Sequence, residues 1–197
     1  MPYYFTFKIN NQVRYTTQVQ SIQCEDHTKT GARCKRRCII GSPYCCTHLA
    51  YNHHLKIKPS LIPNAGKGLF AVDPLTNQND ILFRNKDTIC EYRGEVINLA
   101  TLNERYAPGK KNTAPYAVQL SANAYEDAAK IRGVGSLANK SPNNSNATLS
   151  VYRGRASLKA TKNIRNGDEI YLSYGSDYRM DQPGVIYKTT PKPNPDF

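Results

Sequence analysis

Five cysteines lie within 23 consecutive positions, and a histidine follows two residues after the last of them. They are Cys24, Cys34, Cys38, Cys45 and Cys46, and the histidine is His48. Thiolate and imidazole groups are the ligands that Zn²⁺ takes in tetrahedral structural sites. Gly31 permits a tight turn between the first two thiols, and Cys45-x-x-His48 places two ligands one helical turn apart. The preferred zinc ligands are Cys24, Cys34, Cys45 and His48, with Cys38 or Cys46 as alternatives.

The zinc interpretation depends on reduced thiols. The chain starts without the basic region and apolar core of a signal peptide, so we expect an intracellular protein whose clustered cysteines bind metal. The segment Thr-Lys-Thr-Gly-Ala-Arg-Cys34-Lys-Arg, followed by Tyr-Cys45-Cys-Thr-His48, also resembles short treble-clef zinc motifs. Zinc is expected first to fold this module. A second role is contact with phosphates or an acidic protein through Arg33, Lys35, Arg36 and Arg37.

Four later segments stand out by their order and spacing, and the glycines in them let the backbone approach a ligand closely. They are Asn64-Ala65-Gly66-Lys67-Gly68; Tyr92-Arg93-Gly94; the series Tyr116, Asp127-Ala128 and Asn139-Lys140-Ser141; and Gly167-Asp168-Glu169-Ile170-Tyr171-Leu172-Ser173-Tyr174-Gly175. In this order and spacing they resemble the SET domain of protein-lysine methyltransferases, over about residues 56–178. Two departures stand out: Lys140 replaces the usual His, and the stretch 142–146 lacks Cys-x-Pro-Asn and is one residue longer.

The resemblance implies methyl transfer from S-adenosylmethionine to a lysine, with a histone as the expected substrate. It also implies the site residues. The catalytic residues would be Tyr174 and Tyr116; the cofactor-binding residues would be Ala65, Lys67, Gly68, Tyr92, Tyr116, Asn139 and Lys140. No cysteine follows Cys90, so the family's C-terminal cysteine-zinc module is missing. In this the chain resembles the minimal SET proteins of large DNA viruses, and we expect Tyr187 or Phe197 to cover the cofactor instead.

Short apolar runs separated by Gly, Pro and Asn predict a mainly β fold. The expected architecture is a SET-domain fold of short strands with a C-terminal pseudoknot, preceded by a β-hairpin and a small zinc-binding module. The one predicted helix covers 99–106, with Thr101 as its cap and Glu104 completing a capping box. The predicted units are a hairpin (1–22) turning at Asn10-Asn11, a zinc module (23–52), a SET domain (56–180) and an extended tail (181–197). The predicted strands are 69–72, 81–83, 88–92, 116–120, 147–152, 156–160 and 169–173.

Charge is the remaining signal from composition. The 197 residues include 27 Lys and Arg against 15 Asp and Glu, a net charge of +12, and +7 of it falls within the first 58 residues. Such a balance favours polyanionic partners, so we expect nucleic-acid or chromatin contact through this basic third and a nuclear location. No stretch is apolar enough to span a membrane. The alternative is a non-catalytic SET-fold zinc protein that binds chromatin or nucleic acid; the oligomeric state stays open, a homodimer included.

Overall fold

The computed structural model describes residues 3–38, 43–106, 114–141 and 143–173. The strands are β1 (Tyr3–Ile9), β2 (Gln12–Val19), β3 (Ile22–Gln23), β4 (Arg37–Cys38), β5 (Leu55–Pro59), β6 (Lys67–Ala71), β7 (Ile81–Phe83), β8 (Thr88–Glu91), β9 (Glu95–Asn98), β10 (Ala117–Ser121), β11 (Ala124–Asp127), β12 (Asn139–Lys140), β13 (Ala147–Tyr152), β14 (Arg155–Ala160), β15 (Ile164–Arg165) and β16 (Tyr171–Leu172). The helices are α1 (Cys46–His53), α2 (Leu99–Tyr106) and a 3-10 helix at Val134–Leu137. None of the helices in these ranges has the length and hydrophobicity needed to cross a membrane.

The N-terminal hairpin forms as predicted. Strands β1 and β2 pair antiparallel, and the turn residues Asn10 and Asn11 have φ angles of 48° and 64°. Two positive φ angles are what a primed two-residue turn requires, and Asn tolerates them. Phe5 and Phe7 on the inner face are buried. The hairpin therefore contributes to the main hydrophobic core rather than standing apart from it.

A five-stranded sheet carries the pseudoknot. Its strand order is β12-β16-β13-β14-β8, with β16 running parallel to the strands on both its sides. Because β12 and β13 follow one another in the chain yet flank β16, the connection between them crosses β16. The Ser141 N–H donates to Leu172 O at 3.3 Å, and the Ser173 N–H donates to Ala147 O at 3.1 Å. These bonds hold the threaded strand on both sides, and the expected mainly β, SET-like fold is confirmed.

Helix α2 has the predicted bounds but not the predicted cap. The Asn98 side chain, at the end of β9, accepts a hydrogen bond from the Thr101 N–H at 2.8 Å. Asn98 is thus the N-cap and Thr101 lies three residues inside, so the capping box expected at Thr101 and Glu104 is wrong. The far end of the helix is fixed by Asp127, which is fully buried and accepts from Arg105 Nη1 at 2.8 Å and the Tyr106 hydroxyl at 2.9 Å.

The other predicted strands all occur, with ends that differ by a few residues. The largest difference is at 169–173, where only Tyr171–Leu172 is strand. Ile170 does not pair within the five-stranded sheet, because its N–H donates to Leu69 O of β6 at 2.7 Å. The unit boundaries at 22, 52, 56 and 180 stay predictions, and the predicted tail 181–197 lies outside the described residues.

Candidate active site and metal centre

Four side chains of the Cys/His module converge on one point. The ligand atoms of Cys24, Cys34, Cys45 and His48 all lie within 4.8 Å of one another. Cys24 Sγ is 3.3 Å from His48 Nδ1, and Cys34 Sγ is 4.0 Å from Cys45 Sγ. Ligands about 2.3 Å from a tetrahedral zinc ion stand about 3.8 Å apart, so these separations fit such an ion. The four residues predicted from the sequence can therefore hold a metal.

Local structure explains how these ligands meet. Gly31 adopts a φ of 81° in the turn that returns the chain from Cys24 to Cys34. Cys45 is the N-cap residue of α1, which puts His48 one turn further along the same side. The module has little other interior, because its four buried cysteines form a cluster separate from the main core. A metal would thus replace the apolar core that so short a segment cannot build.

The two alternative ligands differ from these four. Cys38 is buried with the other thiols, and its burial, followed by the neighbouring thiolates, raises its pKa to about 12. Its sulfur is not part of the converging group. Cys46 begins α1 and is exposed. Neither residue is needed to complete the set of four.

The glycine segment and the Asn139 strand lie side by side. Asn139 Nδ2 donates to Lys67 O at 3.0 Å and to Glu169 Oε1 at 3.2 Å. Gly68 is buried at this point, and a Cβ on it would overlap Glu169 Oε1 and lie 2.9 Å from Glu169 Cδ. Only glycine fits there without moving a buried carboxylate. The structure thus brings together the predicted residues Lys67, Gly68 and Asn139.

Glu169 is the centre of this group, and the sequence reasoning did not select it. Its side chain, in a residue 3% exposed, accepts from Ser60 Oγ at 2.7 Å, the Leu61 N–H at 2.7 Å and the Tyr171 hydroxyl at 2.8 Å, besides Asn139. Burial and then the bond to Glu169 raise the pKa of Tyr171 to about 12, so this hydroxyl stays a donor. The signal available in the sequence was the position of Glu169 next to an apolar strand residue, which suggests burial. A buried carboxylate needs several hydrogen-bond donors around it.

Two further predicted residues flank this group. Ala65 lies in the loop between β5 and β6, where its N–H donates to Ile62 O at 3.2 Å. Lys140 follows Asn139 in β12 and is half-buried beside Leu172. The Glu169 bonds to Ser60 and Leu61 fix the start of the Ala65 loop.

Asn146 is a second residue that the sequence reasoning missed. It is buried, its Oδ1 accepts from the Tyr171 N–H at 2.8 Å, and its Nδ2 donates to Glu169 O at 2.8 Å. These bonds hold the start of β16. The one-residue insertion in 142–146 obscured this position in the sequence.

The predicted tyrosines Tyr92 and Tyr116 form a separate pair. The Tyr92 hydroxyl donates to Tyr116 O at 2.9 Å, and both residues are buried. The guanidinium carbon of Arg132 lies 4.0 Å from the centroid of the Tyr116 ring, and Arg132 Nε donates to Ala128 O at 3.0 Å. Arg132 is 2% exposed and was not selected from the sequence. Phe5 packs edge-on against Tyr116 at 5.3 Å, so the hairpin supports this pair.

The 3-10 helix connects the two groups. It contacts β6, which carries Lys67 and Gly68, and β8, which leads into Tyr92. A Cβ on Gly135 would lie 2.8 Å from Glu91 O, so this helix packs closely against the strand. Tyr174, Tyr187 and Phe197 lie outside the described residues. Their predicted roles, and the channel role of Tyr116, stay predictions.

The chain was compared with protein families, curated proteins and solved structures. The SET-domain family model matches residues 66–175. A solved structure described as "ctPRC2 in an autoinhibited conformation bound to S-adenosylmethionine" is 22% identical over 64% of this chain, with a TM-score of 0.49. This chain spans 16% of the length of that one. No curated protein matches. Because the family match covers more than half of the sequence and includes Gly68, Asn139 and Glu169, the chain belongs to the SET-domain family.

Proposed function

We propose that this chain is a methyltransferase that uses S-adenosylmethionine to methylate a protein lysine, with a histone as the substrate class. The observation that supports this most strongly is the SET-domain match over 66–175, which spans the glycine segment, Asn139 and Tyr174. The close packing of Gly68, Asn139 and Glu169 adds support, since the two segments that the resemblance assigns to the cofactor are in contact.

The donor would supply an electrophilic methyl group on a positively charged sulfur. Backbone groups of Ala65, Lys67 and Gly68, with Asn139 and Lys140, would bind it, and Tyr92 would pack beside it. Gly68 suits this role because its backbone has no side chain of its own. The groups that would bind S-adenosylmethionine are polar and belong mostly to the fixed backbone. Binding would therefore need little reorganisation of the protein.

Tyr174 and Tyr116 would line the lysine channel and orient the amine. A lysine has an ordinary pKa of about 10.4 and must lose its proton, to water, before its nitrogen can attack. The N–C bond then forms as the C–S bond breaks, and the sulfur keeps the electron pair. The buried Arg132 guanidinium beside the Tyr116 ring would favour the neutral amine, because a like charge destabilises the ammonium form.

We also propose that the Cys/His site holds structural zinc and that the protein works in the nucleus on chromatin. The convergence of Cys24, Cys34, Cys45 and His48 supports the metal. Family membership and the net charge of +12 support a chromatin location.

A second candidate is a SET-fold zinc protein that binds chromatin without catalysis. The observation in its favour is Lys140, which brings a cation to the strand beside the proposed cofactor segment where the family usually has His. Cofactor binding separates the two candidates.

The test is calorimetric titration of the zinc-loaded protein with S-adenosylmethionine, with a Tyr174→Phe variant in parallel. Radiolabel transfer to histones, and to histones whose lysines have been acetylated, then reports the reaction. The proposal predicts binding by both proteins, and transfer by the parent alone to unmodified histones. A folded parent that binds no S-adenosylmethionine would rule out the enzyme, and transfer to the acetylated histones would rule out lysine as the acceptor.

A further inference from the structure

The Cys/His module has an open recess of about 500 Å³ on its surface, and all of its lining residues belong to the module. Its lining includes Thr28, Thr30, Arg33, Cys34, Lys35 and Arg36. We call it the basic recess, after its cations Arg33, Lys35 and Arg36, all of which are exposed.

The cations of the basic recess are not neutralised. Within the described ranges, neither Arg33, Lys35 nor Arg36 lies within ion-pair distance of a carboxylate; the ion pairs found there involve other residues. Asp26, the acid nearest in sequence to the recess, accepts from the His27 N–H at 2.8 Å and from Asn52. The recess therefore presents a net positive charge to solvent.

The two guanidinium groups are already held in place. Arg33 Nε donates to Cys24 O at 3.2 Å, and Arg36 Nη1 donates to Thr47 Oγ1. Each bond uses one N–H and leaves others of the same planar group for a ligand. Because the side chains are ordered before binding, less conformational entropy is lost when an anion is bound.

The lining indicates which anion fits. Arginine forks, a lysine and threonine hydroxyls suit the oxygens of phosphates. Among the described residues no aromatic ring lines the recess, which favours a duplex over a single strand because single-stranded bases stack on aromatic side chains. Among duplexes, DNA fits the chromatin role proposed above, on which this choice rests.

We propose that the basic recess binds the phosphate backbone of double-stranded DNA, independently of base sequence. The module is joined directly to the donor-binding segment: α1 ends at His53, β5 follows after the C-cap residue His54, and β5 pairs with β6. His54 Nδ1 also lies 3.1 Å from Asp73 Oδ2 just beyond β6. DNA on the recess is thus held in a fixed position relative to Lys67 and Gly68.

The experiment measures binding of the zinc-loaded full chain to a short fluorescent DNA duplex of random sequence, by anisotropy over a range of salt concentrations. The test variant is Arg33→Gln with Lys35→Gln. The matched control, Arg84→Gln with Lys162→Gln, removes the same charge from exposed positions in the SET part. Lys35→Gln alone is the second variant, because the Lys35 side chain makes no hydrogen bond or ion pair within the described residues.

We expect the test variant to lower the slope of log affinity against log salt by about 2, the single variant by about 1, and the control by much less. Equal effects of test and control would overturn the proposal in favour of net charge alone. Unchanged binding by Lys35→Gln would also overturn it. Competition by polyglutamate as strong as that by unlabelled duplex would point to an acidic protein instead.

The readout is separate from methyl transfer. Duplex binding is measured without S-adenosylmethionine, and calorimetry with S-adenosylmethionine on the test variant should match the parent. If the test variant loses DNA binding but still binds S-adenosylmethionine, the result tests the basic recess alone. If the parent binds DNA but not S-adenosylmethionine, the proposed enzyme activity is wrong and the recess proposal stands.

Discussion

At the scale of single residues, one carboxylate joins three parts of the chain. Glu169 accepts from Ser60, Leu61, Asn139 and Tyr171, which lie in three separate segments. A carboxylate this buried is stable only when such donors compensate its lost hydration. The same four bonds fix the loop before Gly68 and the strand of Asn139.

We expect Glu169→Gln to lower the free energy of unfolding by about 2 kcal/mol, because an amide NH₂ would face donors that now have an acceptor. Affinity for S-adenosylmethionine should fall by about tenfold as the glycine segment loses its support. Urea unfolding and calorimetry measure the two effects. Glu104→Gln, at an exposed position of α2, is the control and should leave both unchanged. Equal urea midpoints for the two variants would contradict this account.

Two tyrosines, the half-buried Tyr171 and the buried Tyr106, give a pH dependence. Burial raises the pKa of Tyr171 to about 12, and burial followed by the charge of Asp127 raises that of Tyr106 as well. A raised pKa favours the protonated form in the fold, so this stabilisation is complete below the unfolded value of about 10 and is lost as pH rises through the folded values.

Tyrosinate absorbance should therefore contain a component that appears only near pH 12, and Tyr171→Phe should reduce it. Tyr152→Phe, at a position 67% exposed, is the control and should leave this component unchanged. If all tyrosines of the native protein titrated together near pH 10, the packing of Tyr171 described above would be wrong.

At the scale of elements, the hairpin supports the site from behind. Phe7 packs edge-on against Tyr106 with ring centroids 5.2 Å apart, while Phe5 meets Tyr116. The Gln20 N–H also donates to Lys130 O at 2.9 Å, just before Arg132. The hairpin is thus structurally continuous with the segment that carries the proposed channel tyrosine.

Phe7→Ala should reduce the free energy of unfolding by about 3 kcal/mol, as truncation of a buried aromatic side chain leaves a cavity. Thermal unfolding followed by circular dichroism measures this. Val13→Ala in the same hairpin is the control, since Val13 is 60% exposed and its loss should change stability by less than about 0.5 kcal/mol. A Phe7 variant that melts with the parent would mean that the hairpin folds independently of the core.

Sequence separation decides which elements could be predicted. The hairpin turn, α2 and strands such as β7 and β13 follow from residues next to one another in the chain, and their bounds were predicted closely. The four metal ligands lie within one short module, and their spacing was sufficient. Glu169 and Ser60 are 109 positions apart, and Arg132 and Phe5 are in contact across most of the fold. No local pattern reports such partners, so these residues required the structure.

At the scale of the whole molecule, the described residues form two separate hydrophobic clusters. The main core extends from Phe5 to Leu172, whereas the cysteines of the module form their own cluster. Helix α1 contacts both, because it begins after Cys45 and buries Leu49 in the main core. Loss of the metal should therefore affect the module first and the core through α1.

Removal of the metal with a chelator should lower the melting temperature and the helical signal, and added Zn²⁺ should restore both. Cys24→Ser should reproduce the loss without a chelator. Cys46→Ser is the matched control, since that thiol is exposed and is not one of the converging ligands. A melting temperature that is the same with and without metal would show that the four residues form no structural metal site.

The threading of β16 has a consequence for the time course of folding. The Ile170 N–H donates to Leu69 O. The residue just before β16 is therefore bonded to β6, which lies about 100 residues earlier in the chain. During synthesis, the glycine segment and Asn139 leave the ribosome long before the residues that join them. The proposed donor site therefore stays open in every shorter nascent chain, and its completion is a late, non-local and correspondingly slow step. The proposed methyl transfer would therefore start only after the strand at Leu172 has joined the fold.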